Sequence, residues 1–349
     1  MIDSIQELIG DWAAGEGLDP RLHVWSVRAA QTDAGIVLRG ETLDQQARQS
    51  LMTTLRMHLS GVTLVDEITP LRENAAAATI RRAVVNVHAE SKSKSEVVTQ
   101  ALFGEMIEVL RSIPGWSFVR IVADGYLGWI AEHALAPGTL PGPSHFVGAN
   151  LAPCFSQPDG GEVVGQLPFN VAVAVMECAG EWAGVAAPDG QVWWTRVENL
   201  TLLDDRPVPD AAGMPVMVAR MERFVGTPYL WGGRSPFGYD CSGFAQTALR
   251  YMGVSVLRDA DQQFEEGDEV DGPLQPGDLL FFGRPGYSAS GIARTAGVDH
   301  VAISLGGWDL LHATGAVWSV TRNSLDPSSP VYRRSLAETY LGARRFRCD

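Results

Sequence analysis

Cys241, His300 and His312 have the types and spacing for nucleophilic chemistry. Cys241 follows Asp240, and apolar residues at 241, 244, 245, 248, 249 and 252 trace one helical face that stops before Gly253. Asp240 is a good N-cap and Gly253 a good terminator, so the spacing predicts Cys241 in the first turn of a helix. The positive end of a helix favours the thiolate, which is the nucleophilic form, and so does a neighbouring imidazolium. A free cysteine in a helix is most often a small buried hydrophobe, so this placement alone does not settle the matter. The histidines add weight. His300 opens a strand-like HVAISL, Gly306-Gly307 makes a turn, and LLHA returns with His312. A hairpin of that shape brings the two imidazoles onto adjacent strands. One ring can then take the thiol proton while the other holds its tautomer, an arrangement suited to acyl transfer through a thioester.

Other elements must position these groups. At 349 residues the chain exceeds a single core and predicts several domains. Three loop-like stretches divide it: an alanine-rich 73–78, PGTLPGP at 137–143 and DDRPVPDAAG at 204–213. The resulting boundaries are 1–78, 79–140, 141–207 and 208–349. The first segment reads as a ββαβ unit: strands over 24–29 and 35–39 joined by Asp33-Ala34-Gly35, a helix over 44–59 and a strand over 62–65. It has no cysteine, and its two histidines, His23 and His58, lie far apart, so packing or spacing is its expected role.

The two middle segments repeat one another. Glu96-Val97-Val98 recurs as Glu162-Val163-Val164, Phe103 as Phe169 and Trp116 as Trp182, each 66 residues on (162 − 96, 169 − 103, 182 − 116). Asp124-Gly125 recurs as Asp189-Gly190, Trp129 as Trp194 and Leu135 as Leu200, each 65 residues on (189 − 124, 194 − 129, 200 − 135). Strands over 107–110, 118–122 and 171–175, broken by Pro, Gly and Asp, predict small β-barrels with Trp116, Trp182 and Trp194 in their cores. With VNVHAE at 85–90, GWSFVR at 115–120 and DGYLGWI at 124–130, these repeats resemble bacterial SH3-like domains, and the resemblance implies binding of cell-wall peptides. The last segment begins with a helix-like 216–225.

From residue 214 to about 346 the sequence resembles the NlpC-type cell-wall cysteine peptidases. The resemblance lies in GTPYLWGG (226–233), DCSGF (240–244), RDADQQ (258–263), PGDLLFF (276–282), DHVAI (299–303) and LHA (311–313). It implies a papain-like core, with Cys241 as nucleophile, His300 as base and His312 as the orienting residue. The expected fold class is therefore α+β multidomain: a small ββαβ domain, two SH3-like barrels and a papain-like peptidase domain.

Tandem SH3-like repeats before such a domain resemble the γ-D-glutamyl-L-diamino acid endopeptidases of the dipeptidyl-peptidase VI type. That resemblance implies hydrolysis of the γ-D-glutamyl bond in free murein stem peptides, with release of L-Ala-γ-D-Glu during wall recycling. It further implies that the first barrel closes one end of the cleft and that Glu90 and Tyr126 bind the substrate's free amine. Tyr229 and Trp231 match the cleft wall, and Asp240 and Ser242 match polar substrate contacts. Glu90 with Asp240 would face the ammonium, and Tyr229 with the backbone N–H of Cys241 would face the oxyanion. Glu90 stands equally as an ordinary solvated charge, whereas for Tyr126 the substrate-binding role is preferred over plain barrel surface. Ala260 occupies a position where relatives often carry a serine, which puts one polar contact in question. The loop 284–298, rich in Gly and Ser, is expected to border the cleft.

The charge of −14 argues against nucleic acid or an anionic membrane as main partner, and no apolar run approaches a membrane span. Four scattered cysteines, at 154, 178, 241 and 348, and no evident leader predict a reduced, cytoplasmic protein without metal or cofactor. The oligomeric state, the role of residues 1–73 and the choice between diaminopimelate and lysine stay open. Rival readings are a wall-peptide binding protein with a decayed site, or an amidase or acyltransferase on the same fold.

Overall fold

The computed structural model describes residues 2–33, 35–284 and 297–347. Ala34 of the first expected turn, most of the loop 284–298 and Cys348 lie outside the described residues.

The N-terminal domain is αββαβ rather than ββαβ. A helix Ile2–Gly15 precedes the expected elements and buries Ile5, Ile9, Trp12 and Ala13, a stripe with helical spacing. Strands Trp25–Thr32 and Gly35–Thr42 pair antiparallel, and Leu64–Pro70 joins the second in parallel. The intervening helix Gln45–His58 starts at Asp44, whose carboxylate accepts from the backbone N–H of Ala47 at 3.0 Å. Both helices pack on the sheet around Leu38, Leu51, Leu55 and Ile68.

The divider expected at 73–78 is not a loop. Leu71–Asn74 forms a 3-10 turn, and Ala76–Ile80 is a strand paired with Met106–Ile113 and Leu135–Pro137. Alanine has little intrinsic strand preference, and here the ladders on both sides supply the conformation. The first barrel thus begins at Ala76 as one seven-stranded sheet.

The repeat in sequence is a repeat in structure. Strand Val97–Leu102 recurs as Val163–Pro168, and Trp116–Ile121 as Trp182–Ala186, both displaced by 66 (163 − 97, 182 − 116). Leu127–Ala131 recurs as Val192–Arg196, displaced by 65 (192 − 127). Trp182 is buried, but Trp116 and Trp194 are only half-buried, and it is Trp193 that enters the second barrel's core. Strand alternation explains the difference: Trp193 and Thr195 point inward, so Trp194 points out. Each repeated phenylalanine serves the next domain. Phe103 packs in the second barrel's core, and Phe169 in that of the C-terminal domain. Asn170, at a left-handed φ of 67°, donates its amide to the carbonyl of Thr247 at 3.2 Å and fastens that junction.

In the C-terminal domain a six-stranded antiparallel sheet runs in the order Asp268–Glu269, Tyr340–Arg345, Leu279–Gly283, Val298–Gly306, Asp309–Thr314, Ser319–Ser324. Helix Cys241–Tyr251 packs on its centre through Phe244, Ala245, Ala248 and Leu249 against Val301, Ile303, Leu311 and Ala313. This is an α+β arrangement with the cysteine helix against the sheet. The helix expected at 216–225 runs instead over Gly213–Glu222, because the Asp210 carboxylate accepts from the N–H groups of Ala212 and Gly213 and starts it earlier.

Candidate active site

Cys241 occupies the first position of its helix. Asp240 caps it, accepting from the N–H of Gly243 at 2.7 Å. The residue is partly exposed, but the thiol itself is desolvated, with the backbone N–H groups of Ser242 and Val301 acting in favour of its thiolate. Burial, reinforced by the neighbouring Asp240 carboxylate, nevertheless pushes the thiol up to about 12. The helix terminus therefore does not by itself give a resting thiolate, because desolvation of sulfur and an adjacent anion outweigh it.

The histidine hairpin forms as the spacing predicts, with Ile303 opposite Leu311 and Ser304 opposite Leu310. His300 Nε2 and His312 Nδ1 lie 2.6 Å apart, and His312 Nε2 lies 3.0 Å from Asn323 Oδ1. The Asn323 amide is oriented by its Nδ2, which donates to the carbonyl of Val331 at 3.2 Å. Its Oδ1 must then accept, so His312 carries its proton on Nε2 and presents Nδ1 as an acceptor. His300 donates from Nε2 in turn, which leaves its Nδ1 as the basic atom. Burial drives His300 well below the ordinary histidine value, helped by His312, while burial takes His312 to about 4. Both rings are neutral near pH 7, as this relay requires.

Because His300 must be unprotonated to act as base, the acid limb of kcat/KM is expected below pH 6.5, the ordinary histidine value. A pH–rate profile read against an unperturbed histidine checks this. An acid limb at or above that value would contradict the neutral pair.

Cys241 and His300 open onto a cavity of about 280 Å³ that Arg21, Glu96, Tyr126, Tyr229, Trp231, Asp240, Ser242 and Asp259 help to line. Tyr229 lies beside the nucleophile, and burial raises its phenol, so the hydroxyl keeps its proton and can donate. Trp231 is half-exposed and donates its indole N–H to Glu96 at 3.0 Å. The loop that carries it fits closely against the first barrel: Gly232 has φ +75°, and a Cβ there would come within 2.8 Å of the Val97 carbonyl.

Glu90 does not reach this cavity. It is exposed and pairs with Lys92 at 2.6 Å, while Glu96, just before the second strand of the same hairpin, lines the cleft. Glu96 belongs to the duplicated EVV motif, which reads as scaffold in the sequence. Tyr126 is buried rather than on the barrel surface, and its hydroxyl donates to Asp259 at 3.1 Å. Asp240 is not a free anion either. The fully buried Arg258 donates to it at 2.6 and 3.1 Å, and also to Ser242 Oγ at 2.8 Å and Thr99 Oγ1 at 2.8 Å. Glu96, Asp259 and Asp299 are the other carboxylates that line the cavity, and Asp259 is itself paired with Arg21 at 2.7 Å. Ala260 is buried at the start of helix Ala260–Glu266, just past Asp259.

Arg21 comes from the N-terminal domain, where no chemistry was expected. It and Asn323 are the two site residues that no motif in the sequence flags.

The bacterial dipeptidyl-peptidase Sh3 domain matches residues 87–135, and the NlpC/P60 family matches residues 226–345. A Bacillus cereus protein named gamma-D-glutamyl-L-lysine dipeptidyl-peptidase is 30% identical over 268 residues, covering 72% of this chain and 76% of its own. Dipeptidyl-peptidase 6 of Lysinibacillus sphaericus is 28% identical over 272 residues, covering 73% of this chain and 94% of its own. The crystal structure of an NlpC/P60 family protein from Bacillus cereus superposes with a TM-score of 0.66 at 25% identity, covering 77% of this chain and 99% of that one. Together with a cysteine at a helix start and a histidine hairpin beside it, these similarities establish that the chain belongs to the NlpC/P60 family of cysteine peptidases.

Proposed function

We propose that this peptidase hydrolyses the γ-D-glutamyl bond to a diamino acid in free murein stem peptides and releases L-Ala-γ-D-Glu. The relatives named dipeptidyl-peptidases support a cell-wall peptidase activity. The observation that carries the finer reading is the shape and charge of the cleft. Cys241 and His300 stand in a cavity whose lining also includes Tyr126 and Glu96 from the first barrel and Asp259. A cleft walled by the first barrel and lined with carboxylates suits a short peptide with a free ammonium and disfavours longer or blocked chains by sterics and charge.

In this reading Cys241 Sγ attacks the γ-carbonyl carbon of D-glutamate and passes its proton to His300 Nδ1. The backbone N–H of Cys241 and the Tyr229 hydroxyl face the oxyanion. His300 then gives the proton to the departing amine as the C–N bond breaks, leaving a thioester. Water loses a proton to the same nitrogen, attacks the thioester, and the thiol is restored.

The test compares L-Ala-γ-D-Glu-L-Lys, and its diaminopimelate counterpart, with the same peptides N-acetylated. The free peptides should be cleaved about 100-fold or more faster in kcat/KM, the scale of a lost charged contact in a desolvated site. Equal rates would remove the amine-binding role of these carboxylates.

A further inference from the structure

We propose that Arg21, carried by the N-terminal αββαβ domain, is a positioning residue for the amine-binding end of the cleft. The inference rests on the dipeptidyl-peptidase reading above and names the part of that site which neither a barrel nor the peptidase domain supplies.

Arg21 follows Asp19 in the segment between the first helix and first strand. Its side chain is 10% exposed and lines the cavity that holds Cys241. All three guanidinium nitrogens are engaged. Nε donates to Asp19 Oδ1 at 2.9 Å, and Nη2 to Asp19 Oδ2 at 2.6 Å and Asp261 Oδ2 at 2.8 Å. Nη1 donates to Asp259 Oδ2 at 2.7 Å and Asp261 Oδ1 at 2.9 Å. The segment is fastened on two further sides. The Arg21 carbonyl accepts from the N–H of Leu127, the residue after Tyr126, at 2.8 Å, and Gln262 Nε2 donates to Asp19 Oδ2 at 2.9 Å. Residues 19–21 therefore form a wedge at the point where barrel and peptidase domain meet.

The chemistry follows from Asp259. Its Oδ2 accepts from both Arg21 and the Tyr126 hydroxyl, while its side chain also caps the helix Ala260–Glu266. Three carboxylates, Asp19, Asp259 and Asp261, face the one Arg21 guanidinium, so acidic groups outnumber it at this corner and can still attract an ammonium. Without Arg21, Asp259 and Asp261 would crowd together with only Arg258 left as a nearby cation for Asp259, and two carboxylates so placed tend to take up a proton or turn away. Burial already raises Asp259, and Arg258 and Arg21 together oppose it, Arg21 also through a direct hydrogen bond. Arg21 thus keeps the recognition carboxylate ionised and aimed without touching the reacting atoms.

Full-length Arg21→Ala, Arg21→Lys and wild type are compared on free and N-acetylated L-Ala-γ-D-Glu-L-Lys, with thermal unfolding as a control. Arg21→Ala should raise KM for the free peptide by about tenfold, leave kcat within about threefold and leave kcat/KM for the acetylated peptide unchanged. Arg21→Lys, which keeps the charge, should recover most of that KM. If Arg21→Ala does not fold, Arg21→Gln carries the same expectation. An unchanged KM overturns the role of Arg21, and so does an equal loss on both peptides, which would mark a plain domain clamp. A wild-type enzyme inactive on the free peptide would overturn the dipeptidyl-peptidase reading itself, and this inference with it. An active wild type with an indifferent Arg21→Ala overturns this inference alone.

Discussion

Cys241→Ala is expected to abolish turnover, lowering kcat on the order of 10⁴-fold or more, because no other group in the cleft can form the thioester. Cys241 is a small, partly exposed residue at the start of a well-packed helix, so removing its sulfur should change stability by no more than about 1 kcal/mol. The variant should keep its far-UV spectrum and unfolding transition while product formation disappears. Turnover at the wild-type rate would exclude Cys241 as nucleophile and, with it, the function of the His300–His312–Asn323 relay. A variant that unfolds readily would instead give the cysteine a packing role, which its partial exposure argues against.

The second large effect concerns stability. Arg258 is fully buried, ion-paired with Asp240 at 2.6 Å, and bonded to Thr99 of the first barrel at 2.8 Å. Arg258→Met should cost roughly 3–5 kcal/mol in denaturant unfolding, because Asp240 would be left as a buried carboxylate without its cation. The loss exceeds that of an exposed pair, such as Arg39 with Glu67, because solvent screens the latter. Asp240→Asn combined with Arg258→Met should recover part of it, since the uncompensated charge is then gone while an asparagine can still cap the helix. A loss within about 0.5 kcal/mol, the range of ordinary surface substitutions, would show that Asp240 finds other partners. The same variant should impair catalysis, because Asp240 sets the start of the nucleophile helix.

Much of this was legible in the sequence for local reasons. An N-cap aspartate, a helical apolar face and a terminating glycine specify the helix of Cys241 within one stretch of chain. The Gly306-Gly307 turn likewise specifies a hairpin, and a hairpin with two histidines across it leaves few arrangements. The barrel repeat survived in the strand positions because each copy carries its own turns and alternation. Where burial had to be chosen between adjacent residues, as with Trp193 and Trp194, the pattern was too weak: a strand of aromatic residues reads much the same in either register.

Distance in sequence sets the limit elsewhere. Glu90 and Glu96 flank one short hairpin, and which of them meets the cleft depends on how the first barrel docks on Trp231. Asp240 looks like a free anion until Arg258 folds onto it, and no periodicity announces that pairing. Asn323 fixes the tautomers of both histidines only through the register of a third strand, with Leu310 opposite Asn323. The sequence by itself determined the helix that starts at Cys241, the hairpin that carries His300 and His312 and the presence of two barrels, because those features rest on contacts between near neighbours. The tertiary structure alone decided the desolvation of Cys241 and His300 and the corner of the cavity where Arg21 meets Asp259 across 238 residues. Desolvation and like-charge balance depend on what surrounds a group in space, and that surrounding is assembled only when the domains dock.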